Sequence, residues 1–168
     1  MTSYLLIIAN REALGWILTE GRMAFPNERR AEVRSLKAGD ELFLYTTRGA
    51  FKKPARDRGR IIGTARVASQ VVRLEEAVAF DNREYPVGCK LEIGPLAPFG
   101  HGVELAPLIP QLSTFDGVGK VWSIKLRRPL VRITADDSAL LHRALDKVGM
   151  IGDGGVDRVR AYARWFLS

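Results

Sequence analysis

The run YLLIIA, residues 4–9, constrains the chain more than any other segment. Six consecutive apolar residues do not alternate as a half-buried strand would. They are also far short of the roughly 20 needed to cross a bilayer. No basic segment or cleavage site flanks them, so they do not read as a targeting signal. The remaining reading is a strand buried on both faces, which the rest of the chain has to cover. With 168 residues, one domain is expected. A chain of this length buries roughly 70% of the surface it exposes when unfolded, so a full core is within reach. A single cysteine, Cys89, excludes an internal disulfide and fits a reducing, cytoplasmic compartment. No membrane association is expected.

The flanking segments supply start and stop signals. Asn10 is a good N-cap for a helix running to about Glu20, with Gly21 as its stop. Asn27 is placed to cap a second helix, ERRAEVRSLKA, ended by Gly39. Gly39 and Asp40 then turn the chain into a strand over residues 41–47. The next strand spans residues 60–70 around IIGTARV, where Gly63 signals a bulge or a close backbone approach. CKLEIG from Cys89 alternates as a strand, VELAPLI gives a short strand and a turn, and PLVRIT gives a late strand. Thr134 with Asp137 three residues on forms a capping box before the helix SALLHRAL. Beyond the GDGG joint, residues 156–167 form an amphipathic pattern with Val159, Tyr162, Ala163 and Phe166 on one face. Short strands with flanking helices give an α+β domain on a curved sheet or small barrel over residues 1–150, and a helical tail over residues 151–168.

Several chemistries lack their parts. Two histidines, His101 and His142, and one cysteine cannot build a Cys-rich zinc site. There is no P-loop and no nucleophile elbow, and Asp136 and Asp137 are explained by helix capping. No cofactor and no metal are expected.

The charge is distributed unevenly. The whole chain carries +7. Between residues 48 and 66 stand Arg48, Lys52, Lys53, Arg56, Arg58, Arg60 and Arg66 against one acid, Asp57, a local net of +6. A second cluster over residues 120–132 holds Lys120, Lys125, Arg127, Arg128 and Arg132 with no acid. Tyr45 and Phe51 flank the first cluster, and Trp122 lies in the second. Charge to follow a phosphate backbone, beside aromatic faces to stack bases, is the pattern of single-strand recognition. A solvated loop guarding a strand edge accounts for the charge equally well.

The order of these segments resembles the EVE domain, in the PUA-like group that also contains the YTH readers of methylated RNA. The resemblance rests on LKAGDELFLYTT, then RIIGTARVAS, then VELAPLIPQLSTF followed by LRRPLVRITADDSALLHRAL. It spans residues 4–145 and implies a PUA-like small β-barrel flanked by helices. It also implies a nucleic-acid-binding module that holds an unpaired or flipped base, often a modified one, in a pocket beside the barrel. An extruded base is held by stacking and edge hydrogen bonds. Where the family places Trp after the first helix, this chain has Met23, with Phe25 two residues on, and Phe80 or Tyr85 is the nearest substitute for a further family aromatic.

On this reading Met23, Phe25, Tyr45, Thr46, Thr47 and Trp122 line the base pocket. Arg48, Lys52, Lys53, Arg56 and Arg58 hold phosphates of single-stranded or flipped-base DNA or RNA, and no residue is catalytic. Trp16 is expected in the core of the first helix. Two alternatives stand beside it. One is a small hydrolase on a PUA-like scaffold of the ASCH type, with Lys53, Thr46 and Glu41 as its candidates. The other is a plain interaction domain whose tail helix docks a protein partner.

Overall fold

The computed structural model describes residues 1–27, 29–48, 50, 58–148 and 160–162. Its strands are β1 (Ser3–Ile8), β2 (Arg22–Phe25), β3 (Glu41–Thr46), β4 (Arg60–Val67), β5 (Val72–Phe80), β6 (Arg83–Leu96), β7 (Val103–Glu104) and β8 (Leu130–Ile133). Its helices are α1 (Arg11–Glu20), α2 (Ala31–Ser35) and α3 (Ala135–Lys147), with 3-10 turns at Ala106–Gln111, Ser113–Phe115 and Gly119–Arg127. The strands form one curled mixed sheet in the order β2-β6-β4-β3-β1-β8, with β5 added on β6 and β7 on β4. β1 and β3 are parallel; the other pairs are antiparallel.

The apolar run is central and covered on both faces. Tyr4, Leu6 and Ile8 point into the curl, against Leu14, Ile17 and Leu18 of α1 and against Leu42 and Leu44 of β3. Leu5 points the other way, in register with Phe43 and Val131, under Leu141 and Leu145 of α3 and under Ile109, Leu112 and Phe115 of the 3-10 turns. Each such side chain contributes about 1.5–3 kcal/mol by leaving water. The two-layer requirement set by residues 4–9 is thus met by α1 inside and by α3 with the 3-10 turns outside.

The local signals act where they were expected for α1, the Gly39–Asp40 turn and α3. The Asn10 side chain accepts from Ala13 N at 3.1 Å, and Gly21 closes α1 in the left-handed region at φ 62°. Buried Asp40 accepts from Thr2 N at 2.9 Å and from Lys37 N at 3.0 Å, fixing the turn into β3. Gly63 sits at a register shift, where a Cβ would lie 2.5 Å from the Pro95 carbonyl. Thr134 caps α3 by accepting from Asp137 N at 3.1 Å. Asp137 does not return that bond; it turns to the 3-10 turns instead.

Other expectations need correction. The second helix shrinks to α2: Asn27 spends its side-chain oxygen on Arg29 N at 2.9 Å, and Leu36, buried in the inner layer, already has extended backbone. The strand at residues 60–70 ends at Val67, and VELAPLI keeps only two paired residues. Neither β2 nor β5 was expected. The tail lies mostly outside the described residues. Residues 160–162 are helical, and Tyr162 is buried in the inner layer with its hydroxyl donating to Ala97 O at 2.9 Å.

Candidate nucleic-acid interface

Parallel pairing puts the carboxyl ends of β1 and β3 side by side, and Thr47 N donates to Ile8 O at 3.0 Å. A cleft of about 390 Å³ opens at this end. Its floor is Ile7, Ile8 and Ala9. One face of α1 forms a wall, with Asn10, Ala13, Trp16 and Ile17 at helical spacing. Met23 and Ala24 of β2 follow, then Pro26, Asn27 and Arg30. The turn between β5 and β6 brings Phe80, Arg83 and Tyr85, and residues 126–129 close the far side with Leu126, Arg127, Arg128 and Pro129.

The aromatic groups form a connected wall. Trp16 and Phe80 meet edge-on at 5.5 Å between ring centres, and Phe80 and Tyr85 at 5.4 Å. Arg22 lies 5.3 Å over the Trp16 ring, and Arg83 5.9 Å over Tyr85. Phe80 is buried, whereas Trp16 and Tyr85 keep part of their surface open. Four guanidinium groups line the cleft, and among the described residues Arg128 is the one of them with an ion pair, to Glu32 at 3.1 Å. A space of this size lined by apolar rings with a few polar groups suits a small planar ligand.

The residues singled out in the sequence do not all meet here. Met23 lines the cleft, and Phe25 lies fully buried in the inner layer. Tyr45 faces the outer layer, away from Met23 and Phe25, because neighbouring side chains of a strand alternate. Its hydroxyl passes so close to Gly59 that a Cβ there would lie 1.8 Å from it. Burial raises the Tyr45 pKa, and the nearby Arg48 offsets part of that rise. Thr46 is fully buried and donates to Arg60 O at 3.3 Å, while Thr47 is half-buried beside Ile8. Trp122 packs edge-on against Phe115 at 6.2 Å in the outer layer. Arg48 and Arg58 are exposed, Arg58 with a loose contact of 3.9 Å to Glu104. Lys52, Lys53 and Arg56 lie outside the described residues.

The cleft also takes in residues given no binding role from the sequence: Asn10, read as a cap, Trp16, read as core, and the arginines Arg30 and Arg83. One signal was available for the hairpin. Asp81 and Asn82, with φ of 50° and 60°, make the two-residue turn that joins β5 to β6.

At the other end of β1 a second, polar cleft of about 800 Å³ is lined by Thr2, Ser3, Glu41, Lys125, Arg132 and His142 among others. The Glu41 carboxylate accepts from Ser3 Oγ at 3.3 Å and from Ser138 Oγ at 3.1 Å, and it meets His142 Nε2 at 2.9 Å. The Ser138 hydroxyl is spent on the carboxylate rather than on the imidazole, so it is not set up as an activated nucleophile. Glu41 begins β3 and Thr46 ends it, a span of roughly 17 Å at about 3.3 Å per residue. The hydrolase candidates Glu41 and Thr46 therefore do not share a site. Among the described residues no group of His, Cys, Asp and Glu is placed to hold a metal ion. No described helix is long and apolar enough to cross a membrane.

No protein-family model matches the chain, and no curated protein matches it by sequence. Solved structures do resemble it. A Pseudomonas putida protein is 18% identical, with a TM-score of 0.55 over 84% of this chain and 98% of its own. Human THYN1, an EVE-domain protein solved with DNA containing 5-methylcytosine, is 10% identical, with a TM-score of 0.54 over 90% of this chain and 100% of its own. The YTH domain of Mmi1, solved with RNA, is 12% identical, with a TM-score of 0.60 over 89% of this chain and 83% of its own. The curled sheet with its flanking helices is thus a PUA-like fold related to that of EVE and YTH domains.

Proposed function

We propose that this chain is a non-enzymatic nucleic-acid-binding module, and that the cleft at the carboxyl end of β1 holds an unpaired or flipped base, modified or not. The observation that carries this reading is the joint placement of the Trp16–Phe80–Tyr85 wall and the four arginines around one cleft. Aromatic faces stack a base whatever its identity, and guanidinium groups hold the phosphates on either side. The structural similarity to THYN1, solved with DNA, and to the Mmi1 YTH domain, solved with RNA, supports it. Met23 then packs against the ring where the family has Trp. Arg48 follows Thr47, whose amide donates to Ile8 O at the floor of the cleft, and Arg48, Lys52, Lys53, Arg56 and Arg58 are the residues we propose to hold phosphates of the same strand.

The test is single-strand affinity with and without Trp16. Trp16→Ala is expected to weaken binding of short DNA and RNA strands by about 1–3 kcal/mol, the usual worth of one stacked base. With about four phosphates neutralised, the log–log slope of affinity on salt is expected near about −3. Unchanged affinity in Trp16→Ala, or a salt slope near zero, would remove the cleft from the function.

A further inference from the structure

Among the described residues, the large apolar side chains left exposed are Met1, Val72, Phe99, Val121 and Ile124, and Phe99, 40% exposed, alone of them carries a ring. Its loop, residues 97–102, is pinned along its length. Ala97 N donates to Ile62 O at 2.7 Å, His101 N to Pro98 O at 2.9 Å, and Arg60 Nη1 to Gly100 O at 2.6 Å. Gly102, at φ 144°, runs so close to β4 that a Cβ would lie 2.7 Å from Ile61 O. Tyr162 backs the ring. It meets Phe99 edge-on at 5.5 Å between centres, and its own hydroxyl is anchored on Ala97 O at 2.9 Å. A ring held out in this way has little conformational freedom left to lose when a ligand packs on it.

The place of the loop points to the ligand. Ile8 pairs with Thr46, Thr46 with Arg60 and Arg60 with Glu104, so these residues of β1, β3, β4 and β7 stand in one row. Ile8 is in the floor of the cleft at one end of the row, and residues 97–102 lead into β7 at the other. Three strand spacings of about 4.8 Å separate the two ends, roughly 14 Å along the sheet. Arg48, just beyond Thr47, and Arg58, just before Gly59 and Arg60, are exposed near this row. The nearest acid is Glu104, whose contact with Arg58 is the loose one of 3.9 Å.

From this we infer that Phe99 is a second stacking station for a single nucleic-acid strand whose first base sits in the cleft. This rests on the reading of the cleft as a base site. The strand runs along the row, with Arg48 and Arg58 beside its phosphates, and lays a further base on Phe99. At about 3.4 Å per stacked nucleotide the two stations are on the order of four nucleotides apart. Cations that follow a backbone, with a ring at each stop, are what a single strand needs and a folded protein partner does not. One ring among cations is also far smaller than the apolar patch that marks a protein interface.

The experiment titrates the full chain by calorimetry with two DNA ligands. A strand of about twelve thymidines reaches both stations, and a thymidine dinucleotide cannot. Phe99→Leu keeps an apolar side chain against Tyr162 and removes the π face. It is expected to weaken the long strand about tenfold, within the usual worth of one stacked base, and to leave the dinucleotide unchanged. Phe99→Trp is expected to bind the long strand at least as tightly as the parent. Parental affinity of Phe99→Leu for the long strand, or an equal loss for the dinucleotide, would overturn the inference, and Phe99→Met repeats the measurement should Phe99→Leu fold poorly. Trp16→Ala separates the two levels of failure. If it weakens both ligands while Phe99→Leu weakens neither, the cleft stands and the second station is wrong. If it weakens neither while Phe99→Leu weakens the long strand, the cleft is wrong and the station at Phe99 stands.

Discussion

The two ends of β1 carry clefts of opposite character. At the amino end the polar groups satisfy one another: Glu41 collects Ser3, Ser138 and His142, and Lys125 donates to Thr114 O at 2.6 Å. At the carboxyl end Asn10, Asn27 and four arginines line the cleft beside a wall of rings. Polarity alone therefore does not mark a site. A network whose donors and acceptors are matched internally holds the fold together, and a lining whose polar groups are not matched to one another has chemistry left for a ligand. The amino-end cleft is the larger of the two, about 800 Å³ against about 390 Å³, and still offers less.

The sharpest break between structure and binding is expected at Tyr45. It stands next to the carboxyl-end cleft in sequence but belongs to the outer layer under α3. Tyr45→Ala is expected to cost about 3–5 kcal/mol of stability, by analogy with Phe→Ala in a core, because the space over Gly59 empties. Strand affinity per folded molecule should not change. Urea denaturation and anisotropy on the same variant check both, and a loss of affinity with full stability would move Tyr45 into the cleft.

Tyr45 also shows how far the sequence could be read. The doubly buried strand, the caps of α1 and α3 and the Gly39–Asp40 turn were legible because each rests on a local rule: an apolar run, a side-chain acceptor, a turn dipeptide. Which side of a strand faces the ligand is not local. Both faces of β3 are covered, so an aromatic at its end carries no mark of inside or outside. Trp16 packs against the inner core, as expected, and also lines the cleft, because a helix wall of a cleft has the same spacing as a core face. The β5–β6 hairpin escaped because β5 buries little beyond Phe80, so its alternation is faint. The four arginines that gather at the cleft come from three separate places in the chain, and only the fold brings them together.

A mid-sized effect is expected at Asp137, which ties the 3-10 turns to α3. It is buried and accepts from Ser113 N at 2.9 Å and Thr114 N at 2.8 Å as well as from both hydroxyls. Burial by itself would raise its pKa; the hydrogen bonds from Thr114 and Ser113 outweigh that and hold it below the ordinary value of 3.8. A carboxylate lowered in the folded state stabilises fully above its unfolded pKa, and the contribution fades as pH falls through the lowered value. Asp137→Asn is expected to cost about 1–3 kcal/mol at neutral pH. It should also flatten the acid limb of the stability curve below about pH 4. A variant as stable as the parent, with the same acid limb, would show that the α3 anchor is not built on this carboxylate.

The smallest effect is expected at His142, and it tests whether the amino-end network is only structural. Its imidazole meets Glu41 at 2.9 Å and stacks edge-on against Phe43 at 5.0 Å, with the His142 side chain 46% exposed and that of Glu41 13% exposed. A pair this open to solvent is worth about 0–1 kcal/mol, since water screens it and two side chains are held in place to make it. Ser3 and Ser138 continue to satisfy Glu41 when the imidazole is gone. His142→Gln keeps a donor of similar reach, so its melting temperature should fall by a degree or two at most. Strand affinity and salt slope should match the parent. A selective loss of affinity in His142→Gln would mean that nucleic acid also visits the amino end of β1, and that the division of labour between the two clefts is wrong.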